Sequence, residues 1–348
     1  MLGIVTTFLY SVISGRAFLL NWEQPTPPDL VFDSPFIDWS VPFNLSSTTP
    51  RQYPFNNQTL ADNYYFIEGH DWPDWQLDTF FPAFEENYGA GKNASWLAMD
   101  INRGVTIRSF YYAKVIPRLE ELGLRFTSIY SCLMNYLFRP KPAVLKFINY
   151  YTSLFSLPET FVVGLQIRTG DGNMFFAGYD TNSAEHHSKY WTCAAQLAKR
   201  HAHPSQKILY YLVTDSKKLE ESALKAFPDQ VIVTGLPQSH DEILYKDKSG
   251  VEVAHGAAKG FLHTIAESWI FSATDFQVIT YRSGFGKIPT WLRGKDHTTV
   301  QLFNEYLDPG LTAAVKAGNG GKLPPVPDCS LPSAIKSMAD LAQDWSLG

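Results

Sequence analysis

The stretch Phe161–Asp171, FVVGLQIRTGD, decides how this chain is read. Five apolar or small residues, Phe161 to Leu165, run straight into Gln166-Ile167-Arg168-Thr169-Gly170-Asp171. That pattern is a buried β-strand ending in a loop that carries an arginine beside a glycine. In open α/β sheets, ligands lie in the crevice outside the carboxyl ends of the strands. A guanidinium there presents a planar fork of donors that meets phosphate oxygens in pairs. A neighbouring glycine lets the backbone come close to such a ligand. Arg168 and Gly170 are therefore candidate diphosphate-holding residues. Taken alone, the motif is equally compatible with an arginine in a surface salt bridge at a strand end.

The rest of the second half alternates strand and helix signals with short connections. A glycine-rich aromatic loop covers Gly170 to Tyr179, and a helix is expected from Ser183 to Arg200 with Ser183 as its cap. Lys207 to Thr214, KILYYLVT, is a near-continuous apolar run of strand formers, after which Asp215 is placed to cap a helix over Ser216 to Ala226. Gln230 to Gly235 reads as the next strand, Leu236 to Gly250 as an excursion loop, and Ala254 to Ala273 as a long helix with apolar residues every three or four positions. Phe276 to Tyr281 is a further strand. Strands alternating with helices of this length predict a parallel, doubly wound sheet with right-handed crossovers.

After that last strand, Ser283-Gly284-Phe285-Gly286 leads into a short helix to Leu292. Backbone N–H groups at a helix start hold anions, and Ser283 adds a hydroxyl. SGFG by itself is more often a plain turn. Paired with QIRTGD at the end of another strand of one sheet, it is a second candidate grip on the same diphosphate.

These residues resemble a known family. QIRTGD is similar to the H-x-R-x-G-D-type segment of GDP-fucose-dependent fucosyltransferases of the two-Rossmann (GT-B) kind, which include the α1,6-, the plant xyloglucan and the protein O-fucosyltransferases. Glu267-Ser268-Trp269-Ile270 through Asp275-Phe276, then Thr280 to Gly286, resembles the plant-type stretch that runs from an acidic residue and Trp, through an acidic position, to a Ser-x-Phe-Gly loop. The opening MLGIVTTFLYSVISGRAFLLNW resembles the helix and strand after the first glycine-rich loop of those enzymes. The likeness covers the start and most of 160–295, and is loose over 45–150.

The resemblance implies an α/β, GT-B-like chain with two Rossmann-type domains facing across a cleft. Residues 1–155 would form the acceptor side and 156–310 the donor side, with 311–348 a tail whose Ile335, Met338 and Leu341 have helical spacing. It implies that Arg168 binds the β-phosphate of GDP-fucose and stabilises the departing diphosphate. Ser283 and the backbone of Gly284 and Phe285 would hold the same group, and Asp275 would help recognise the guanine or ribose. Thr214-Asp215-Ser216 would approach the nucleotide from a neighbouring strand end. No cofactor beyond the donor is implied, and the acceptor would be an oligosaccharide or glycoprotein. Gln166 stands where many relatives have His, and its amide remains able to hydrogen-bond. The chain starts at the helix that should follow the first strand and glycine-rich loop, so a fragment or a mis-started gene model is one expectation. An inactive relative or a transferase for another nucleotide sugar are the alternatives.

Composition is consistent with this reading. The chain has 348 residues, enough for two domains with sizeable cores. A formal charge of −5 argues against wholesale binding to nucleic acid or anionic membrane. Aromatic residues make up 15% of the chain, a share that serves cores and sugar stacking alike. Tyr64-Tyr65-Phe66 and His70-Asp71-Trp72-Pro73-Asp74-Trp75, in a Pro- and Asn-rich region, are candidates to line an acceptor groove. Three sequons at Asn44, Asn57 and Asn93 cluster in the same loops and suit a lumenal protein. Golgi residence is expected if an anchor lies upstream, because the start is neither a signal peptide nor a membrane span.

Three cysteines, Cys132, Cys193 and Cys329, allow one bridge and leave one over. No Asp-x-Asp, P-loop or GxSxG is present. His186-His187 and His201/His203 read as surface histidines, and Lys217-Lys218 as solvated lysines at a helix start. An inverting transfer needs a group to take the acceptor's proton, for which Asp171, Asp100 and Glu185 are the candidates.

Overall fold

The computed structural model describes residues 1–20, 27–40, 64–69, 96–101, 104, 106–170, 180–236, 245–246, 252–253, 257–307 and 309–343. The chain divides into two compact units. The first holds Met1–Asn21, Ser34–Arg139 and Ala342–Leu347, and the second Trp22–Asp33, Pro140–Leu341 and Gly348.

Helix α1 (Leu2–Ser14) opens the chain, burying Leu2, Val5, Phe8 and Leu9 along one stripe. Gly15 ends it in the left-handed conformation, φ 66°, with its N–H returning to Ser11 and Val12 carbonyls. The short strand β1 (Phe32–Asp33) belongs to the second unit. In the first unit, β2 (Tyr64–Gly69) pairs in parallel with β3 (Trp96–Ile101). Helices α2 (Ile116–Glu121) and α3 (Ile129–Leu137) follow, then the two-residue strand β4 (Arg139–Pro140). α1 packs on α3: Phe8 stacks on Tyr136 at 5.6 Å, and Phe36 stacks on Tyr136 at 5.0 Å. Trp39 Nε1 donates to the Leu137 carbonyl at 2.8 Å.

The second unit begins with α4 (Pro142–Phe155), whose proline sits in the first turn, where no N–H is needed. The remaining elements are β5 (Thr160–Ile167), α5 (Ser188–His201), β6 (Lys207–Thr214), α6 (Lys217–Ala226), β7 (Val231–Ile232), the small hairpin β8 (Tyr245–Lys246) and β9 (Glu252–Val253), α7 (Ala257–Ser272), β10 (Phe276–Thr280), α8 (Gly284–Arg293), β11 (Thr299–Leu302), α9 (Pro309–Gly318), β12 (Ile335–Lys336) and α10 (Met338–Gln343). The main sheet has the order β12-β11-β10-β5-β6-β7. All its pairings are parallel except that of β12 with β11. The chain steps outward from β5 to β7, then returns through α7 to β10 on the other side of β5. The order therefore reverses between β5 and β10, the position where doubly wound sheets bind ligands.

Period two sorts the residues of β5. Phe161, Val163, Leu165 and Ile167 face α5 and α6 and share a core with Tyr190, Leu197, Leu212 and Leu219. Gly164 faces α7, where an added Cβ would lie 2.9 Å from the Phe271 ring, so only glycine allows this approach. Cys193 on α5 is bonded to Cys329 in the segment before β12, and Cys132 is free and exposed. No helix among the described residues is long and apolar enough to cross a membrane.

Several boundaries differ from the sequence reading. The helix expected from Ser183 begins at Ser188, after a turn in which Ser183 Oγ accepts the His186 N–H. The strand expected over 230–235 is only Val231–Ile232. In the tail, Ile335 lies in β12, paired to Val300, so its spacing from Met338 is not helical. The excursion loop lies outside the described residues apart from 236 and the small hairpin. So do residues 171–179, the three sequons and His70 to Trp75.

Candidate functional site

Arg168 is the first residue beyond β5, and its neighbours are fixed by one acid. Asp215, the first residue beyond β6, lies beside it because Ile167 pairs with Thr214. One Asp215 oxygen accepts the Thr169 N–H at 2.6 Å and its hydroxyl at 2.7 Å; the other accepts the Gly170 N–H at 2.9 Å. That second oxygen also meets Arg168 Nε at 3.2 Å. Burial raises the Asp215 carboxyl above its ordinary value, and Arg168 with the loop donors only partly offsets the rise. The guanidinium is 27% exposed against 5% for the aspartate, so the acid is the buried anchor and the arginine the group that opens outward. Gly170 has φ 113°, a conformation side chains resist. Asn304, just past β11, donates to the Arg168 carbonyl at 2.6 Å and closes the loop from the other side.

This corrects the reading of Asp215 as a helix cap. Ser216 caps α6, its hydroxyl accepting the Leu219 N–H, which releases Asp215 to hold the arginine loop. Asp180 in turn receives the Ser216 hydroxyl at 2.8 Å and the Lys218 N–H at 3.1 Å.

The second side of the site is the end of β10. Thr280 Oγ1 accepts the Arg168 N–H at 3.0 Å and lies 2.9 Å from the Tyr190 hydroxyl, tying β5, β10 and α5 together. Arg282 then turns the chain with φ 64°, uncommon for a residue with a side chain and costing on the order of 1 kcal/mol. The turn delivers Ser283 as the residue preceding α8. Ser283 is 5% exposed and makes no side-chain cap bond, so its hydroxyl is not spent on the helix. Gly284 and Phe285 form the first turn of α8, where N–H groups and the helix dipole favour an anion. Arg168, Gly170, Asp215, Ser283, Gly284 and Phe285 thus all lie at the carboxyl ends of β5, β6 and β10.

Asp275 does not, and its expected role is corrected. It precedes β10 at the amino end of the sheet, where its N–H meets the Val162 carbonyl and its carboxylate accepts the Val162 N–H at 2.8 Å. Since Ile279 at the far end pairs with Gln166, Asp275 stands a strand's length from Ser283. A second acid toward the carboxyl end, besides Asp215, is Glu267 on α7. It accepts the Thr234 hydroxyl at 2.6 Å, and Thr234 lies two residues beyond Ile232, the partner of Tyr211, hence level with the end of β6. Burial raises the Glu267 carboxyl to about 7, against the Thr234 bond. The signal was in the sequence: Glu267 is the acid beside Trp269 in the stretch already singled out.

His187 is the other residue misjudged. It is fully buried, not on the surface, and burial with Lys189 alongside lowers it to about 4. Asn182 uses its amide nitrogen on Asp180, so its oxygen faces His187 Nε2 at 2.9 Å, and His187 Nδ1 has no partner among the described residues. Of the candidate proton acceptors, Glu185 is exposed, Asp100 lies in β3, and Asp171 is outside the described residues. Among the described residues no group of three or more His, Cys, Asp or Glu side chains is placed to hold a metal.

No protein-family model and no curated protein sequence matches the chain. Among solved structures, 89% of the chain matches 69% of a mutant of Arabidopsis thaliana FUT1 in complex with GDP, with TM-score 0.63 and 15% identity. NodZ alpha-1,6-fucosyltransferase soaked with GDP-fucose is similar at TM-score 0.47 and 13% identity, over 83% of this chain and 86% of that one. NodZ from Bradyrhizobium gives 0.47 and 14%, over 82% and 86%. The first likeness fixes the fold: the chain is an α/β protein of the GT-B type.

Proposed function

We propose that the chain transfers fucose from GDP-fucose to a hydroxyl of a glycan acceptor, with inversion at the sugar carbon. The observation that carries this reading is Arg168 and Ser283 at the carboxyl ends of adjacent strands, astride the reversal of strand order, with Arg168 anchored by buried Asp215. In the reaction the acceptor oxygen forms a bond to the fucose C1 and gives up its proton to a base, while the bond from C1 to the β-phosphate oxygen breaks. Negative charge gathers on the departing GDP. A cation and preset N–H and O–H donors placed where that charge develops lower the barrier. Arg168 supplies the cation in place of a metal, and Ser283 with the first turn of α8 supplies the donors. Likeness of fold to a GDP-bound protein supports a guanosine nucleotide as the ligand class.

Glu267 is assigned to the base. Guanine shows two adjacent donors on its pairing edge, N1–H and the N2 amino group, which one carboxylate accepts together. A carboxyl near 7 has to ionise for this, so GDP binding strengthens as pH rises from 6 to 8. The Cys193–Cys329 bond supports an oxidising, lumenal compartment such as the Golgi.

The test is calorimetric titration with GDP and UDP, followed by transfer assays with GDP-fucose and a glycan panel. Wild type should prefer GDP, and Arg168→Ala should weaken GDP at least about tenfold, the effect of a lost charged hydrogen bond. A folded wild type that ignores GDP overturns the donor site. Preference for UDP points to another nucleotide sugar. GDP binding without turnover on any acceptor makes the chain a non-catalytic relative.

A further inference from the structure

Gln166 does not face the crevice, and both ends of its amide are committed inside the protein. The Thr280 backbone N–H can only donate, so the atom 3.1 Å from it is the amide oxygen. The amide nitrogen is then the atom 3.1 Å from Ser283 Oγ. That nitrogen can only donate, so the Ser283 oxygen is the acceptor and its own hydrogen must point elsewhere. Both side chains are buried, at 3% and 5% exposure. Gly286 makes room for it: a Cβ there would stand 2.6 Å from Gln166 Oε1 and displace the amide.

We infer that Gln166 is a positioning residue that sets the polarity of Ser283, keeping its hydroxyl a donor toward an anion at the ends of β5 and β10. The inference rests on the donor-site reading above. With the opposite polarity, Ser283 would turn a lone pair toward the diphosphate oxygens. The chain of bonds from the Thr280 N–H through the Gln166 amide to the Ser283 oxygen instead leaves the hydroxyl hydrogen free to be donated to the anion. The residue acts through Ser283 and touches no reacting atom itself.

The experiment is GDP titration of wild type, Gln166→Met, Ser283→Ala and the double variant, each checked for folding by thermal melting. Each single change should weaken GDP about tenfold, the worth of a hydrogen bond to a charged ligand. The double should be no weaker than either single, because both remove one and the same donor. Gln166→Glu supplies the rescue. Near pH 5 a protonated carboxyl still donates to Ser283 and affinity relative to wild type recovers; at pH 8 it falls again. Should Gln166→Met fail to fold, Gly286→Ala enters the same cycle, since its Cβ pushes the amide off Ser283. Losses that multiply to about a hundredfold in the double, or Gln166→Met binding as well as wild type, overturn the inference alone. A folded wild type that does not bind GDP overturns the donor site and the inference with it.

Discussion

The two ends of the β5–β10 pair use the same residue types to opposite purposes. At the amino end, Arg293 donates to the carbonyls of Thr274, Asp275 and Thr298 and to the hydroxyls of Thr298 and Thr299, and Asp275 holds the Val162 N–H. Those bonds lie between backbone segments, and the result is a clasp. At the carboxyl end, Asp215 gathers the Thr169 and Gly170 donors and Arg168 Nε, but the guanidinium it holds is partly exposed. An aspartate that closes a loop internally makes a joint, and one that props an arginine at a solvent-facing edge makes a binding group.

The sharpest test of that contrast is to remove each arginine. Arg168→Ala should cut transfer at least about a hundredfold, as loss of a preorganised donor does elsewhere, and destabilise the fold less than Arg293→Ala, because Thr169 and Gly170 still donate to Asp215. Arg293→Ala should leave GDP affinity unchanged but destabilise the fold by roughly 3 kcal/mol, because buried polar groups lose their partner. Chemical denaturation and GDP titration on both proteins decide it. An Arg293→Ala protein that stays folded yet loses GDP would erase the distinction.

A smaller effect separates the two acids in the same way. The Glu267 carboxyl sits near 7 when folded against an ordinary value of 4.5, so folding takes up a proton between those values. Its contribution therefore favours the fold below about 4.5 and is lost as pH rises through 7. Glu267→Gln should raise stability at pH 8, by no more than about 3 kcal/mol, and abolish the preference for GDP over UDP. Asp275→Asn should lower stability by about 1 kcal/mol and keep that preference. Denaturation at pH 5 and 8, with nucleotide titration at pH 8, reads both.

A change confined to acid pH comes from His187, which is buried beside the start of α5. Its folded value near 4 lies below the ordinary 6.5, so the neutral form is the one that fits. The stability it contributes is intact above about 6.5 and drains away as pH falls toward 4. His187→Gln should flatten that part of the pH profile by about 2 kcal/mol. An unchanged slope between pH 6.5 and 4 would show that the ring is reached by water.

How far the sequence carried follows from what each signal encodes. Apolar runs such as Lys207–Thr214 announce buried parallel strands directly, and the order of strands and helices then limits the topology. Arg168 and Ser283 were legible because they follow such runs. Asp275 was misplaced because nearness to a motif does not say which end of a strand a residue occupies; its position before Phe276 did. Asp215 and Ser216 are both good caps, and only the nearby loop donors decide which one is drawn away. His187 was unreadable, since its burial depends on Tyr306 arriving from a distant segment. Ile335 kept a helix-like spacing that pairing with Val300 overrode.

The bond between Cys193 and Cys329 joins residues 136 positions apart and so makes a covalent ring of most of the second unit. Asp215, Glu267 and Ser283 lie within the ring, while Arg168 lies outside it. As a ribosome delivers the chain in order, Cys193 waits for its partner until Cys329, 136 positions later, has been made. A product that stops short of Cys329 would carry an unpaired thiol on α5, in place of a bond that belongs to the core. Synthesis through Cys329 is thus recorded as sulfur chemistry on a helix made 136 residues earlier.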